Sequence, residues 1–213
     1  MRKTLILAAG LVALGVSPTL AQSVPVYDET WHRAPFWSGE YPGGFSVLKD
    51  VTVQLRPTLD PKTAGSISCD LPAKATYQAW NGARVAEQGL TFVSFTEIDE
   101  MRVTAPYEAV LLREDDYTEV PVSLAPGDSW RYLVYYAEGN FLMEHEGVRY
   151  SADQGLMDVS EAVRPGERGY DEWMRINCPN NQWGWLYMGD ITIDDVTFAG
   201  PNVTEYGMSS DLD

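Results

Sequence analysis

Hydrophobic and polar residues alternate with a period of two along much of this chain. The clearest example runs through Val47, Val51, Val53 and Leu55, and a second lies within residues 90–98. Side chains of a β-strand alternate between its two faces, so this pattern predicts strands. Further short apolar runs, separated by turn residues, occupy positions 103–112, 120–124, 130–137, 141–144 and 148–150.

Strands this short and this closely spaced are typical of small barrels and sandwiches. We therefore predict an all-β fold made of small barrels in tandem, preceded by an aromatic N-terminal arm. A single β-sandwich of the jelly-roll kind is the alternative. Residues 152–163 hold the one stretch after the N-terminal segment that suits a helix, of one or two turns.

Residues 170–195 predict a β-hairpin around which the rest of the chain is organised. Its first arm alternates over residues 173–177, and Pro179 begins the turn. The second arm, residues 183–188, is aromatic, and Gly184 leaves room for a bulge or for another backbone to approach closely. Aromatic side chains bury large areas, so most of these tryptophans are predicted to lie in the core.

The N-terminus has the pattern of a secretory signal peptide. A basic start at residues 1–3 precedes an apolar run at residues 5–16, and a small-residue cleavage site ends at Ala21. The apolar run is too short to span a bilayer, and no later stretch is long and apolar enough to do so. We expect cleavage after Ala21 and a mature protein in the periplasm or fully secreted.

The chain is strongly acidic, with 15 Lys and Arg against 31 Asp and Glu and a net charge of −16. Removing the signal peptide takes away Arg2 and Lys3, which leaves 13 basic residues against 31 acidic ones and a charge of −18. Such a charge repels nucleic acids and anionic lipid surfaces, so neither is an expected partner. The acids are scattered along the chain, as on a solvated surface.

Two cysteines, Cys69 and Cys178, permit one pairing. Disulfides persist in exported proteins, so we predict that these two cysteines are bonded and close a loop of about 110 residues. The alternative is a catalytic cysteine paired with His145 or His32, such as a Cys178/His145 centre in a cell-wall hydrolase.

Other signs of chemistry are absent from the sequence. Two histidines cannot build a three-histidine zinc site, and no phosphate-binding loop or serine nucleophile elbow occurs. Carboxylates are too numerous for any pair to be singled out as a glycosidase dyad. We therefore predict no enzyme activity and no cofactor.

Residues 67–77 and 120–130 echo each other at an offset of 53 positions, since both show a strand, a Leu, a tight turn and an aromatic residue. This echo predicts a duplicated module. The pattern divides the chain into a signal peptide (1–21), an extended arm (22–44), a first barrel (45–100, which residues 170–196 could complete), a second barrel (101–163), a C-terminal hairpin segment (164–200) and an acidic tail (201–213).

Three segments resemble bacterial SH3-like (SH3b) domains. The run at residues 51–57 with the turn after Leu71 resembles their opening, residues 120–150 their middle, and residues 173–187 their Gly-Trp ending. The match departs from the family pattern at Lys74, where a turn glycine is usual, and in having the Gly-Trp ending only once. The resemblance implies SH3-like barrels that bind cell-wall peptide or glycan, or an envelope partner protein, outside the cytoplasm.

On this interpretation, ligand contact falls on exposed aromatic side chains, because stacking on a sugar or peptide needs a flat ring. The candidates are Trp80, Tyr135, Tyr136, Trp183 and Trp185.

Residues 189–198 are similar to the last strand of jelly-roll carbohydrate-binding domains, which often ends in Ile-Asp-Asp-Val. That likeness implies a single sandwich in which Asp190, Asp194 or Asp195 ligates calcium through hard oxygen atoms. The alternative to a calcium site is that these acids lie in a solvent-exposed turn at the end of a strand.

Overall fold

A computed structural model describes residues 26–39, 44–78, 91–164, 166–192 and 194–197 of the chain. Sixteen strands lie within these residues. They are β1 (Trp31–Ala34), β2 (Gly44–Val47), β3 (Val51–Leu55), β4 (Ile67–Leu71), β5 (Thr76–Gln78), β6 (Thr91–Glu97), β7 (Asp99–Val103), β8 (Tyr107–Arg113), β9 (Glu119–Leu124), β10 (Ser129–Ala137), β11 (Asn140–His145), β12 (Val148–Ala152), β13 (Ser160–Ala162), β14 (Tyr170–Asn177), β15 (Trp183–Tyr187) and β16 (Val196–Thr197).

Helical structure is limited, in the described residues, to the short helix α1 (Gln154–Asp158) and a 3-10 turn at Met188–Asp190. The helix begins after Asp153, whose carboxylate accepts a hydrogen bond of 2.9 Å from the backbone of Gly155. The predictions of an all-β fold and of a short helix within residues 152–163 are therefore both confirmed.

The strands β7 to β13 form a seven-stranded antiparallel sheet, which we call the inner unit. Its strand order is β13-β7-β10-β11-β12-β8-β9. Strands from the whole width of the sheet contribute to one core, so the sheet curls around it. That core contains Val103, Leu124, Trp130 and Phe141, and it is covered by Leu156 of α1.

The remaining strands, which we call the outer unit, come from both sides of the inner unit in sequence. They form the sheets β16-β2-β5, β1-β6-β14-β15 and β3-β4. A pair of backbone hydrogen bonds, each 2.8 Å, joins Arg56 after β3 to Trp185 of β15. The shared core includes Phe45, Leu55 and Met174.

The two units repeat one pairing pattern. In each, a first strand pairs with a fourth (β2 with β5, β7 with β10), and a hairpin lies between them (β3–β4, β8–β9). A later hairpin follows (β14–β15, β11–β12), then a helical turn and a strand that returns to the first one (β16 to β2, β13 to β7). The outer unit thus repeats the order of the inner one around it.

The turns before β5 and β10 share the same backbone hydrogen bonds and have a left-handed residue at the same position. The backbone N–H of Lys74 donates to Val47, and that of Gly127 donates to Val103, both at 2.8 Å. Lys74 has φ 67° and Gly127 has φ 98°, the left-handed region that favours glycine. Lys74 therefore adopts the backbone conformation of the turn glycine whose place it takes.

The sheets stay open in the described residues, and none of them closes into a barrel. In the inner unit, β9 and β13 are both edge strands of the sheet. Pro121 in β9 has no N–H with which to extend the ladder, as is usual for an edge strand. The closed barrels that we expected are therefore not formed by these strands, although the sheet of the inner unit wraps most of a core.

The N-terminal arm packs on the outer unit, but part of it is a strand. Residues 31–34 form β1 at the edge of the four-stranded sheet and pair with β6. The Trp37 indole N–H donates a 2.9 Å hydrogen bond to the backbone of Trp173, and its side chain is buried. Ala34 and Phe36 pack in one hydrophobic cluster with Leu133, Val134 and Leu142 of the inner unit. The arm therefore joins the two units.

Arg168 makes a second contact between the units. Its guanidinium pairs with Asp99 at 3.0 Å and lies 3.8 Å from the ring centre of Tyr132.

No helix in the described part of the chain is both long enough and apolar enough to cross a membrane. The predicted signal peptide (1–21) and tail (201–213) lie outside the described residues.

The predicted disulfide is confirmed. Cys69 in β4 is bonded to Cys178, which directly follows β14, across a sequence separation of 109. Both residues are buried in the core of the outer unit. Gly184 lies nearby, and a Cβ atom there would come within 2.6 Å of Leu55. Of the two roles that the sequence left open for this glycine, a bulge or a close approach, the structure shows the close approach, between β15 and β3.

We expect that replacing both cysteines, in a Cys69→Ala/Cys178→Ala variant, lowers the free energy of unfolding by about 4–5 kcal/mol. The reason is that the unfolded chain regains the freedom of a loop of about 110 residues. Urea unfolding followed by tryptophan fluorescence would measure this difference. Reducing agent should destabilise the wild type by a similar amount and leave the variant unchanged; equal stability with and without the bond would contradict the expectation.

Candidate functional site

The sheet β1-β6-β14-β15 has two faces of different character. One face supplies Phe92, Met174 and Leu186 to the core of the outer unit. The other carries aromatic side chains from all four strands, and we call it the aromatic face. Its rings belong to Trp31, Phe95, Trp173, Trp183, Trp185 and Tyr187, and Tyr27 from the arm lies over it.

One end of the aromatic face is closed by Tyr27. The ring of Tyr27 stacks on Phe95 with a centroid distance of 3.7 Å. Its hydroxyl donates to Asp171 at 2.7 Å and accepts from the indole N–H of Trp173 at 2.9 Å. The hydroxyl of Tyr187 donates to the other oxygen of Asp171 at 2.6 Å. These bonds satisfy the polar atoms around the fully buried Trp173.

The two tyrosines remain neutral donors over the physiological pH range. Burial, together with the hydrogen bond to the Asp171 carboxylate, raises the pKa of Tyr187 to about 12. Burial and the same carboxylate also raise the pKa of Tyr27 above its ordinary value. Burial disfavours the charged phenolate, and a phenolate beside Asp171 would also place two negative charges together, so both effects raise the pKa values.

Arg56 fastens the loop after β3 to the aromatic face. Its guanidinium forms an ion pair with Asp190, and its Nε donates to the backbone of Thr63 at 2.7 Å. The same guanidinium lies 5.1 Å from the ring centre of Tyr187 and 5.7 Å from that of Trp173. Although Arg56 is buried, its charge is thus paired and its donors are used.

The other end of the aromatic face is open. Trp183 is 39% exposed, and Trp185 beside it is half-buried. Arg175 is the cross-strand partner of Trp185, is exposed, and lies 5.1 Å from the ring centre of Trp183. This arrangement offers flat apolar rings and a guanidinium on one surface. It suits stacking against a sugar or peptide together with charge-assisted hydrogen bonds.

The turn that carries Trp183 is held at its base. The backbone N–H of Cys178 donates to Gln182 at 2.9 Å, and that of Asn181 donates to Cys178 at 2.8 Å. Asn181 takes the left-handed conformation, with φ 67°. Because Cys178 is also in the disulfide, the open end of the aromatic face rests on a covalently anchored hairpin.

The predicted ligand-binding residues do not form one surface. Trp183 and Trp185 lie together on the aromatic face. Tyr135 and Tyr136 lie on β10 of the inner unit, where Tyr135 packs on the inner core and Tyr136 packs against Phe36 of the arm. Burial raises the pKa of Tyr136 to about 12. Trp80 lies outside the described residues.

Sequence reasoning missed the other members of the site. Arg175 could have been found, because it lies two residues after Trp173 on the same face of the strand and therefore faces Trp185 across the hairpin. Tyr27 and Arg56 were not visible: they meet Asp171 and Asp190 across separations of 144 and 134 residues, and no local pattern marks these contacts.

The acids suggested as calcium ligands have protein partners or stand apart. Asp190 pairs with Arg56. Asp195 accepts from the Thr192 hydroxyl at 2.7 Å and pairs with Lys49 at 3.0 Å, whereas Asp194 is exposed. Among the described residues, no three His, Cys, Asp or Glu side chains lie together as a metal site. A groove of about 300 Å³ runs between residues 51–54 and the segment containing Asp190 and Asp195.

The two residues of the alternative Cys/His centre lie in different units, and each has another partner. The sulfur of Cys178 is bonded to Cys69. His145 lies on β11 of the inner unit, with its Nδ1 3.0 Å from the backbone oxygen of Ser129. The disulfide leaves Cys178 without the thiol that a nucleophile needs.

No protein-family model, curated protein or solved structure matches this chain. The likeness to SH3-like domains and the likeness to jelly-roll domains therefore both remain predictions from the sequence.

We expect Tyr187→Phe to lower the free energy of unfolding at neutral pH by about 1–2 kcal/mol, since the variant loses a hydrogen bond to a carboxylate. The pKa of Tyr187 is raised from 10.0 to about 12, so the phenol stabilises the folded state fully below pH 10. This contribution is lost as the pH rises from 10 towards 12, because only the unfolded chain then releases the proton readily. The stability difference between wild type and variant should shrink over that window.

Urea unfolding at several pH values would measure that difference, and Tyr117→Phe is the matched control. Tyr117 is 75% exposed, so removing its hydroxyl should leave stability unchanged. A Tyr187→Phe deficit that stays constant from neutral pH to the alkaline end would contradict the assignment.

Proposed function

We propose that this protein is an extracytoplasmic binding protein that holds cell-wall glycan at the open end of its aromatic face. The observation that carries the proposal is the grouping of Trp183, Trp185 and Arg175 on one exposed surface of the hairpin β14–β15. Pyranose rings present apolar faces that stack on indole rings, and their hydroxyl groups accept hydrogen bonds from a guanidinium.

The rigidity of the site supports the proposal. Trp185 is fixed by its backbone bonds to Arg56, and the turn is anchored through Cys178. A binding surface whose side chains are already ordered loses less entropy when a ligand arrives. Trp183 and Trp185 are therefore better placed for recognition than rings on a free loop.

The inner unit supports the assignment by contrast. Its corresponding hairpin, β11–β12, carries Glu144 and Arg149 on the outward face near its turn. Glu144 pairs with Arg131 at 2.8 Å and with Arg149 at 3.4 Å, so this surface is a solvated ion-pair cluster. The same pairing pattern thus bears indole rings in one unit and charges in the other, as expected if only the outer hairpin binds a ligand.

The location outside the cytoplasm rests on two separate features. The N-terminal sequence has the composition of a secretory signal, and the disulfide between Cys69 and Cys178 is of a kind that persists in oxidising compartments. Cell-wall glycan is a polymer that such a compartment offers. The SH3-like resemblance points to the same class of ligand.

We expect Trp183→Ala to weaken binding to purified cell-wall glycan about 5- to 30-fold, which corresponds to about 1–2 kcal/mol for an exposed aromatic anchor. Co-sedimentation with insoluble peptidoglycan would measure the retained fraction over a range of polymer concentration. Trp183 is partly exposed and outside the core, so the variant should fold normally.

Tyr117→Asn is the matched control for this experiment. It removes an exposed aromatic ring from the inner unit, and Asn tolerates the left-handed backbone found there, with φ 56°. Binding should be unchanged in this variant. No retention of the wild type, or equal retention of wild type and Trp183→Ala, would count against the proposal.

A further inference from the structure

We propose that Arg175 makes the open end of the aromatic face selective for glycan that carries free carboxylate groups. This inference rests on the function proposed above and adds the chemical class of the ligand. Its basis is a guanidinium that lies over the ring of Trp183, on a residue paired with Trp185 across the hairpin, and that has no acidic partner among the described residues.

The position of Arg175 follows from the register of the hairpin. It faces Trp185 directly across the strands and lies over Trp183, with 5.1 Å between its guanidinium carbon and the ring centre. The side chain is exposed, and no carboxylate in the described part of the chain pairs with it. An arginine stacked on an aromatic ring keeps its N–H groups available at the edge of the guanidinium.

The acids on and around the aromatic face are already engaged. Asp171 accepts from two tyrosines, and Asp190 is paired with Arg56. Glu97 accepts a 3.2 Å hydrogen bond from the backbone of Gly169. None of the three is committed to Arg175, which leaves its charge for a ligand.

Four other arginines of this acidic chain show the opposite behaviour. Arg113, Arg131, Arg149 and Arg168 each lie within 4 Å of a carboxylate oxygen. With about twice as many acids as bases in the sequence, an internal partner is easily found. Arg175 instead lies over the ring of Trp183, and this environment favours a planar anion placed beside a stacked sugar.

The overall negative charge does not prevent such binding. At physiological salt the field of distant surface charges is screened within about 8 Å, whereas a direct guanidinium–carboxylate contact is screened much less. The charge of the protein does make a local cation necessary for an acidic ligand. Without Arg175, an acidic glycan could still stack on the indole rings of the open end, but the negative charge of the protein would repel it.

Cell-wall glycan provides this chemistry in one defined form. Its alternate sugars bear a lactyl ether whose carboxylate is free when no stem peptide is attached and is converted to an amide when one is. The site should therefore prefer strands without stem peptides. A bidentate contact between the lactyl carboxylate and Arg175 would accompany stacking of the sugar on an indole ring.

The test compares two tetrasaccharides by isothermal titration calorimetry. One alternates N-acetylglucosamine with N-acetylmuramic acid bearing free carboxylates, and the other is chitotetraose, which shares the backbone but lacks the lactyl groups. We expect the wild type to bind the acidic form about tenfold more tightly or better. Arg175→Gln should bind both forms with the affinity of the wild type for chitotetraose.

Two further variants make the result specific. Arg175→Lys keeps the charge but not the planar fork, so it should retain only part of the preference. Arg102→Gln removes an exposed arginine from β7 of the inner unit and should behave as the wild type. Near-ultraviolet circular dichroism would establish that each variant is folded.

Three outcomes would overturn the inference, and they differ in what else they affect. Equal affinity of the wild type for both tetrasaccharides would refute selection by Arg175 and leave glycan binding in place. A preference that survives in Arg175→Gln would assign the selectivity to another residue. Binding of neither tetrasaccharide at millimolar concentration would refute both this inference and the function on which it rests.

Discussion

The outer unit depends on the late hairpin β14–β15 lying between strands from the first half of the chain. β14 pairs with β6 on one side and with β15 on the other, and β15 then meets the end of β3 at Arg56. Such long-range pairing is costly in chain entropy, because it must close large loops. The bond between Cys69 and Cys178 ties the same two regions together and removes much of that cost.

The hairpin β14–β15 serves the core and the candidate site at once, because its side chains alternate. Ile176 and Leu186 face the core, while Trp173, Arg175 and Trp185 face outward. Tight packing on one side and the network around Tyr27 on the other fix the strands. The exposed rings near the turn therefore stand on a base that is ordered from both faces.

Local patterns were enough to predict part of this structure. The hairpin, the disulfide and the short helix follow from alternation, turn residues and cysteine pairing. The echo between residues 67–77 and 120–130 falls on turns that share the same backbone bonds. Tertiary packing decided the rest. Tyr135 and Tyr136 are half-buried, because Tyr135 packs on the inner core and Tyr136 packs with Phe36 of the arm, and no local sequence pattern indicates these contacts.

The insertion of one unit within the other has a consequence for how the polypeptide matures. All seven strands of the inner unit exist once Ala162 has been synthesised, so its sheet can form without any strand from downstream. The segments before it must wait for the final hairpin. Until residue 178 emerges, Cys69 is a lone thiol with no native partner, 109 positions ahead of the sulfur it will join. The topology thus sets an order of folding: the inner unit in the middle of the polypeptide can fold before the two segments on either side of it pair with each other.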